Sequence, residues 1–170
     1  MRLLLGCLLV LTMNMGFAET RDPHQFFFNQ SLGDFKGELE VAKKEGKKGI
    51  LIMFELDDCP FCHRMKQTVL NQSEVQDYYR SNFMVFAVDA VGANSMVDFK
   101  GKQTTEKDYA HENRVRATPV FVFFNLEGAA VMRFTGATKD VNEFLQLGRY
   151  VAEGAYKSMP FTKYKQKGKQ

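Results

Sequence analysis

The chain has 170 residues, enough for one domain with a substantial core but not for two. Apolar residues make up 45% and Trp is absent while Phe is abundant at 16, a composition that excludes long disordered or collagen-like stretches. Lys and Arg exceed Asp and Glu by only 23 to 20, too even a balance to argue for nucleic acid as a partner.

Residues 1–18 read as a secretory signal peptide. Arg2 gives a positive start, Leu3 to Leu11 is apolar apart from Gly6 and Cys7, and Gly16-Phe17-Ala18 offers small residues for cleavage after Ala18. The apolar run is well short of the ~20 residues that span a bilayer, so no stable membrane insertion is expected after cleavage. Leu4-Leu5-Gly6-Cys7 also fits a lipoprotein box, which would lipidate Cys7. An exported, periplasmic location follows from either processing route. Cleavage after Ala18 removes Cys7 and leaves one close pair of cysteines. A stapling disulfide clips a long loop, so a pair separated by two residues is better explained by reactivity.

Residues 19–31 form a lead-in, in which Phe26 to Phe28 is either a short strand or an apolar strap. Ser31 or Asp34 can cap a helix that carries Phe35, Leu39 and Ala42 on one face and stops near Gly46. Ile50 to Leu56 is nearly continuous apolar sequence, which predicts a central strand buried on both faces. From Cys62 the period changes to that of a helix through Met65, Val69 and Leu70. Ser73 with Gln76 reads as a capping box for a further helical segment through Tyr79. Phe83 to Val88 is a second buried strand, and residues 90–104 are a long connection with room for a small hairpin. Thr105 to Asn113 reads as helical with Tyr109 and Ala110 inward. Val120 to Phe124 and Ala129 to Phe134 form a hairpin around Asn125-Leu126-Glu127-Gly128. Asp140 with Glu143 starts the last helix, with Val141, Phe144, Leu145 and Val151 inside. The fold class is α/β: a mixed central sheet with helices on both faces, ending in a hairpin plus helix, over residues 32–156. Residues 157–170 carry five lysines and no acid, the composition of a solvated basic tail, with attraction to an anionic surface as the alternative.

The chemistry concentrates at Cys59-Pro60-Phe61-Cys62. The first thiol falls where a helix begins, so the positive helix end favours its thiolate; the second lies one turn inside, within reach to close a disulfide. Disulfide exchange needs this division of labour, an exposed attacker (Cys59) and a resolving thiol (Cys62). Pro60 suits a first-turn position, and Phe61 presents an apolar surface to an incoming chain. Asp57 and Asp58 either form a water-facing turn or lie close enough to raise the thiol pKa. Glu55 precedes Cys59 by four residues; partly buried, it would shuttle a proton for Cys62, and otherwise it is an acid at a strand end. His63 completes a C-x-x-C-H pattern, the signature of c-type haem attachment, or tunes the thiolate from the first helical turn. His24 and His111 are isolated, and no zinc-finger spacing occurs, so no metal is expected. No nicotinamide or flavin motif is present, so no cofactor is expected. Thr118-Pro119 opens a buried strand; a cis bond there would offer the Thr118 backbone to a substrate strand, and a trans bond would be an ordinary strand start.

Taken together, Ile50 to Phe54 before Cys59-Pro60-Phe61-Cys62, then Val115 to Phe124 around Thr118-Pro119, and Gly128 and Gly136 flanking the hairpin, resemble a thioredoxin over residues 35–156. The insertion at 90–104 and the ending Tyr150 to Tyr156 are similar to exported thioredoxin-related proteins of the sulfur-oxidation type. The resemblance implies that Cys59 is the nucleophile, that Cys62 resolves, that Pro119 is a cis-proline opposite them, and that Pro60, Phe61 and Thr118 form a substrate groove. The chain departs from cytosolic thioredoxins at Asp58, Pro60 and Phe61, and Met53 stands where they carry a buried aspartate, leaving Glu55 as a substitute. The resulting expectation is an exported thiol–disulfide oxidoreductase, acting more as a reductase, with disulfide-containing client proteins and a membrane thiol electron donor as partners. A binding module using the cysteines as a redox-sensitive clasp is the alternative.

Overall fold

The computed structural model describes residues 19–167. The expected signal peptide, residues 1–18 with Cys7, lies outside the described residues. Gly49–Glu55 forms β1, buried along its length except at Glu55. Its odd and even residues enter two different cores, as the two-residue period of a strand requires. Phe83–Asp89 (β2) pairs parallel to it, Val120–Phe124 (β5) antiparallel, and Ala130–Thr135 (β6) antiparallel to β5, in the order β2-β1-β5-β6.

Helices cover both faces. Phe35–Lys44 (α2) and Glu106–Glu112 (α5) bury Phe35, Leu39, Ala42, Tyr109 and Ala110 against Ile50, Ile52 and Phe54. Pro60–Thr68 (α3), Ser73–Asn82 (α4) and Val141–Ala152 (α6) cover the other face, where Met65, Tyr79 and Phe144 pack with Leu51, Met53 and Phe121. Asp34 rather than Ser31 caps α2, accepting from the Gly37 amide at 3.0 Å. Asp140 caps α6 through Glu143 N at 2.8 Å. The insertion holds the small hairpin, Ser95–Val97 (β3) against Gln103–Thr105 (β4).

Of the two alternatives for the lead-in, the structure has the apolar strap: Asp22 and Pro23 start a four-residue helix, Pro23–Phe26 (α1), and Phe27 and Phe28 then enter the core. Two expectations change. There is no capping box at Ser73. Gln72 occupies the N-cap without a side-chain bond, and Gln76 is buried. Its amide nitrogen donates to the carbonyls of Leu70 (2.8 Å) and Arg21 (3.0 Å), and its oxygen accepts from Arg21 Nε (2.8 Å). A buried amide is held by the partners that satisfy it, and the lead-in supplies two of these three. The segment beyond 156 is also not a free tail. A 3₁₀ turn at Ala155–Lys157 leads to Phe161–Lys167 (α7), where buried Phe161 packs on Tyr150 and Phe134. Among the described residues, no helix is long and apolar enough to cross a membrane.

Candidate active site

β1 ends at Glu55, and Asp57 and Asp58 form an exposed turn, the water-facing alternative of the two expected. Cys59 then takes an extended conformation as the N-cap of α3 (φ −84°, ψ 106°), with Pro60 in the first helical position. Its Sγ accepts from the Cys62 amide at 3.1 Å, a bond made in most helices by an oxygen cap. A thiolate on this sulfur would be stabilised by the same N–H and by the helix end.

Cys59 and Cys62 are disulfide-bonded, with Cα atoms 5.2 Å apart, inside the range an unforced disulfide needs. The two sulfurs are not equivalent. The exposure expected of Cys59 is not found: both cysteines are buried in one core cluster with Met65 and Met53, Cys59 retaining 6% of its surface and Cys62 1%, so Cys59 is the less covered of the two. Beside the pair, Pro60 is exposed and Phe61 stands 57% exposed.

Topology gathers the remaining segments. Phe54 at the end of β1 pairs with Val120 at the start of β5, and Val120 pairs with Thr135 at the end of β6. Thr118-Pro119 and Gly136 therefore lie at the sheet end from which the chain departs toward Cys59. The Thr118-Pro119 bond is cis, Thr118 is half-buried and Pro119 is buried. Gly136 N donates to the Pro119 carbonyl at 2.8 Å and ties the two loops together.

Glu55 is mostly buried, 16% of its side chain exposed, and is paired with Lys66 on α3. Lys66 Nζ donates to Oε1 at 2.8 Å; Oε2 lies at the same distance but lacks hydrogen-bond geometry. Lys66 is one helical turn beyond Cys62, so the carboxylate is brought to the helix that carries Cys62. His63 is exposed, and its Nε2 lies 2.7 Å from the Asp57 carbonyl. A carbonyl only accepts, so Nε2 carries the proton and the ring braces the Asp57–Asp58 turn.

Sequence reasoning missed Arg64. Its guanidinium lies over the Phe61 ring, 5.7 Å from the centroid, and donates to the Thr138 carbonyl at 3.2 Å. The i,i+3 spacing of Phe61 and Arg64 was a usable signal; the contact with Thr138, far along the chain, was not. Among the described residues no group of three or more His, Cys, Asp or Glu is placed to hold a metal. A cleft of about 390 Å³ is lined by Phe28, Phe86, Met96 and Glu106 among others, with no residue from the cysteine motif or the Pro119 loop. Exchange with a protein disulfide requires an accessible sulfur on a surface rather than an enclosing cavity.

A model of the thioredoxin-like domain matches residues 35–152. The chain is similar in structure to a thioredoxin-fold protein from Helicobacter pylori, with TM-score 0.61 and 22% identity, covering 69% of this chain and 80% of that one. It is similar to a thioredoxin from Thermus thermophilus, with TM-score 0.54 and 27% identity, covering 69% and 83%. The oxidised C-terminal domain of DsbD from Neisseria meningitidis aligns with TM-score 0.51 and 19% identity, covering 72% and 97%. No curated protein matches the chain in sequence.

Proposed function

The chain belongs to the thioredoxin-like family and is a thiol–disulfide oxidoreductase; we propose that it works after export, as a reductase of client proteins. The observation that carries the chemistry is Cys59 at the N-cap of α3, its sulfur accepting the Cys62 amide and bonded to the deeper Cys62 sulfur. In the reduced form, the Cys59 thiolate attacks one sulfur of a client disulfide. The electron pair of the broken bond leaves on the second client sulfur, which takes up a proton. Cys62 loses its proton, attacks the Cys59 sulfur and expels the first client sulfur as a thiol. The client gains two electrons and two protons, and the protein returns to the disulfide state. A membrane dithiol carrier then reduces it for the next cycle.

Glu55 accepts the proton of Cys62 in this scheme. Its burial beside Lys66, one turn from Cys62, supports that role. Thr118, Pro119, Pro60 and Phe61 form the groove for the client segment. Their common placement at one sheet end supports the assignment. His63 braces the turn before Cys59. The clients fitting this compartment are disulfide-containing apocytochromes or sulfur-carrying proteins.

Insulin reduction tests the mechanism. Cys59→Ser is expected to abolish turnover, and Cys62→Ser to retain one attack and accumulate mixed disulfides with several client proteins in the native host. Full activity in Cys59→Ser would remove the mechanism, and a single trapped partner would favour the clasp. N-terminal sequencing of the secreted protein, expected to begin at Glu19, checks export.

A further inference from the structure

We propose that Arg64 is a positioning residue that holds Phe61 as a recognition element for client segments carrying an apolar side chain beside their disulfide. The inference rests on the exchange activity proposed above. Phe61 is two residues from the attacking sulfur and exposed on the first turn of the same helix, so a chain whose disulfide reaches Cys59 passes beside its ring. An exposed phenylalanine on a first helical turn ordinarily samples several rotamers, and ordering it on binding costs affinity. Here the ring is held in advance. The Arg64 guanidinium covers one face at 5.7 Å from the centroid, within the range of cation–π attraction.

The guanidinium is itself anchored, donating to the Thr138 carbonyl at 3.2 Å. Thr138 is buried, its Oγ1 in contact with Met65 Sδ at 3.6 Å and with the Asp140 carbonyl at 3.2 Å. Its loop also carries Gly136, whose amide binds Pro119. Arg64 therefore links the exposed ring to the loop that supports the Pro119 side of the groove. With one face under Arg64, the ring still keeps 57% of the residue's surface in water, an apolar face that a client side chain can cover.

The test compares two disulfide-linked peptides identical except for Leu or Ser next to the cysteine, with bis(2-hydroxyethyl) disulfide as a probe too small to span the ring. The wild-type protein is expected to prefer the Leu peptide about tenfold in kcat/KM, and Phe61→Ala to lose that preference. In Arg64→Ala the KM for the Leu peptide is expected to rise about three- to tenfold, with kcat held within twofold. Arg64→Lys, which keeps the charge but not the planar stack, should recover less than half of that loss. An unchanged KM in Arg64→Ala would overturn the proposal; so would full recovery in Arg64→Lys, which would assign the effect to charge alone. Wild-type activity on the small disulfide without a Leu preference would overturn this inference and leave the proposed function standing. A wild-type protein inert toward all three would overturn both.

Discussion

Cys59 and Glu55 show how position gives ordinary residues their chemistry. A thiol in solution titrates at about 8.5 and is a poor nucleophile near neutrality. At the N-cap of α3 the same thiol meets an N–H and a helix end aimed at its sulfur. Glu55 illustrates the reverse dependence: its side chain is largely buried, and Lys66 offsets the cost of keeping a charge there. If this carboxylate takes the Cys62 proton, Glu55→Gln should slow insulin reduction at least about tenfold while Cys59 still attacks. Stopped-flow measurement would then show the mixed disulfide accumulating, and an unaltered release step would assign the proton to water. The motif and Glu55 were legible as residues in sequence, because spacing fixes where a thiol sits on a helix. Lys66 as partner to Glu55 was not, since a strand and a helix meet there only after packing.

At the scale of elements, the helices capped by Asp34 and Asp140 behave as their sequences predict, while Gln76 and α7 depart for one shared cause. Asp34 and Asp140 bond amides three residues ahead, a local event that needs no tertiary partner. Gln76 is drawn instead into the interior by Arg21, a residue 55 positions away. Helix α7 was hidden by its lysines. What seats it is Phe161 against Tyr150, with the Lys165 ammonium on the Glu143 carboxylate. Burial pushes the Glu143 carboxyl upward, but the Lys139 amide and the Lys165 ammonium outweigh it, and the group is held below the usual carboxylate range. Because the folded value is depressed, this pairing stabilises the fold above the ordinary carboxylate range and is lost as pH falls through the lowered value. Amide protection at α7, taken relative to the intrinsic exchange rate at each pH, should therefore fall in acid. Glu143→Gln should flatten that pH dependence, and a profile identical to wild type would remove the ion pair from the account.

For the whole molecule, the core is larger than the segment matched to the family. Residues 35–152 match, yet Phe27, Phe28 and Phe161 lie outside that range and are buried. Phe27 contacts Phe28, Tyr79 and Phe144, and Tyr79 stacks on Phe144 at 4.5 Å between centroids. The lead-in thus closes the face that carries the cysteine helix. Phe27→Ala should cost about 3–5 kcal/mol in urea unfolding, a large share of the roughly 5–15 kcal/mol typical of a domain. A loss below about 1 kcal/mol would mean that the strap merely rests on a core complete without it. By itself, the sequence determined the strands, the helix that opens at Cys59 and the order of the two thiols, since periodicity and capping act between near neighbours. Only the tertiary structure decided that Phe27, Phe28 and Phe161 belong to the core, that Lys66 meets Glu55, and that Arg64 spans from Phe61 to Thr138. Those contacts join residues remote in sequence, and they form only when the packing of a whole apolar face brings them together.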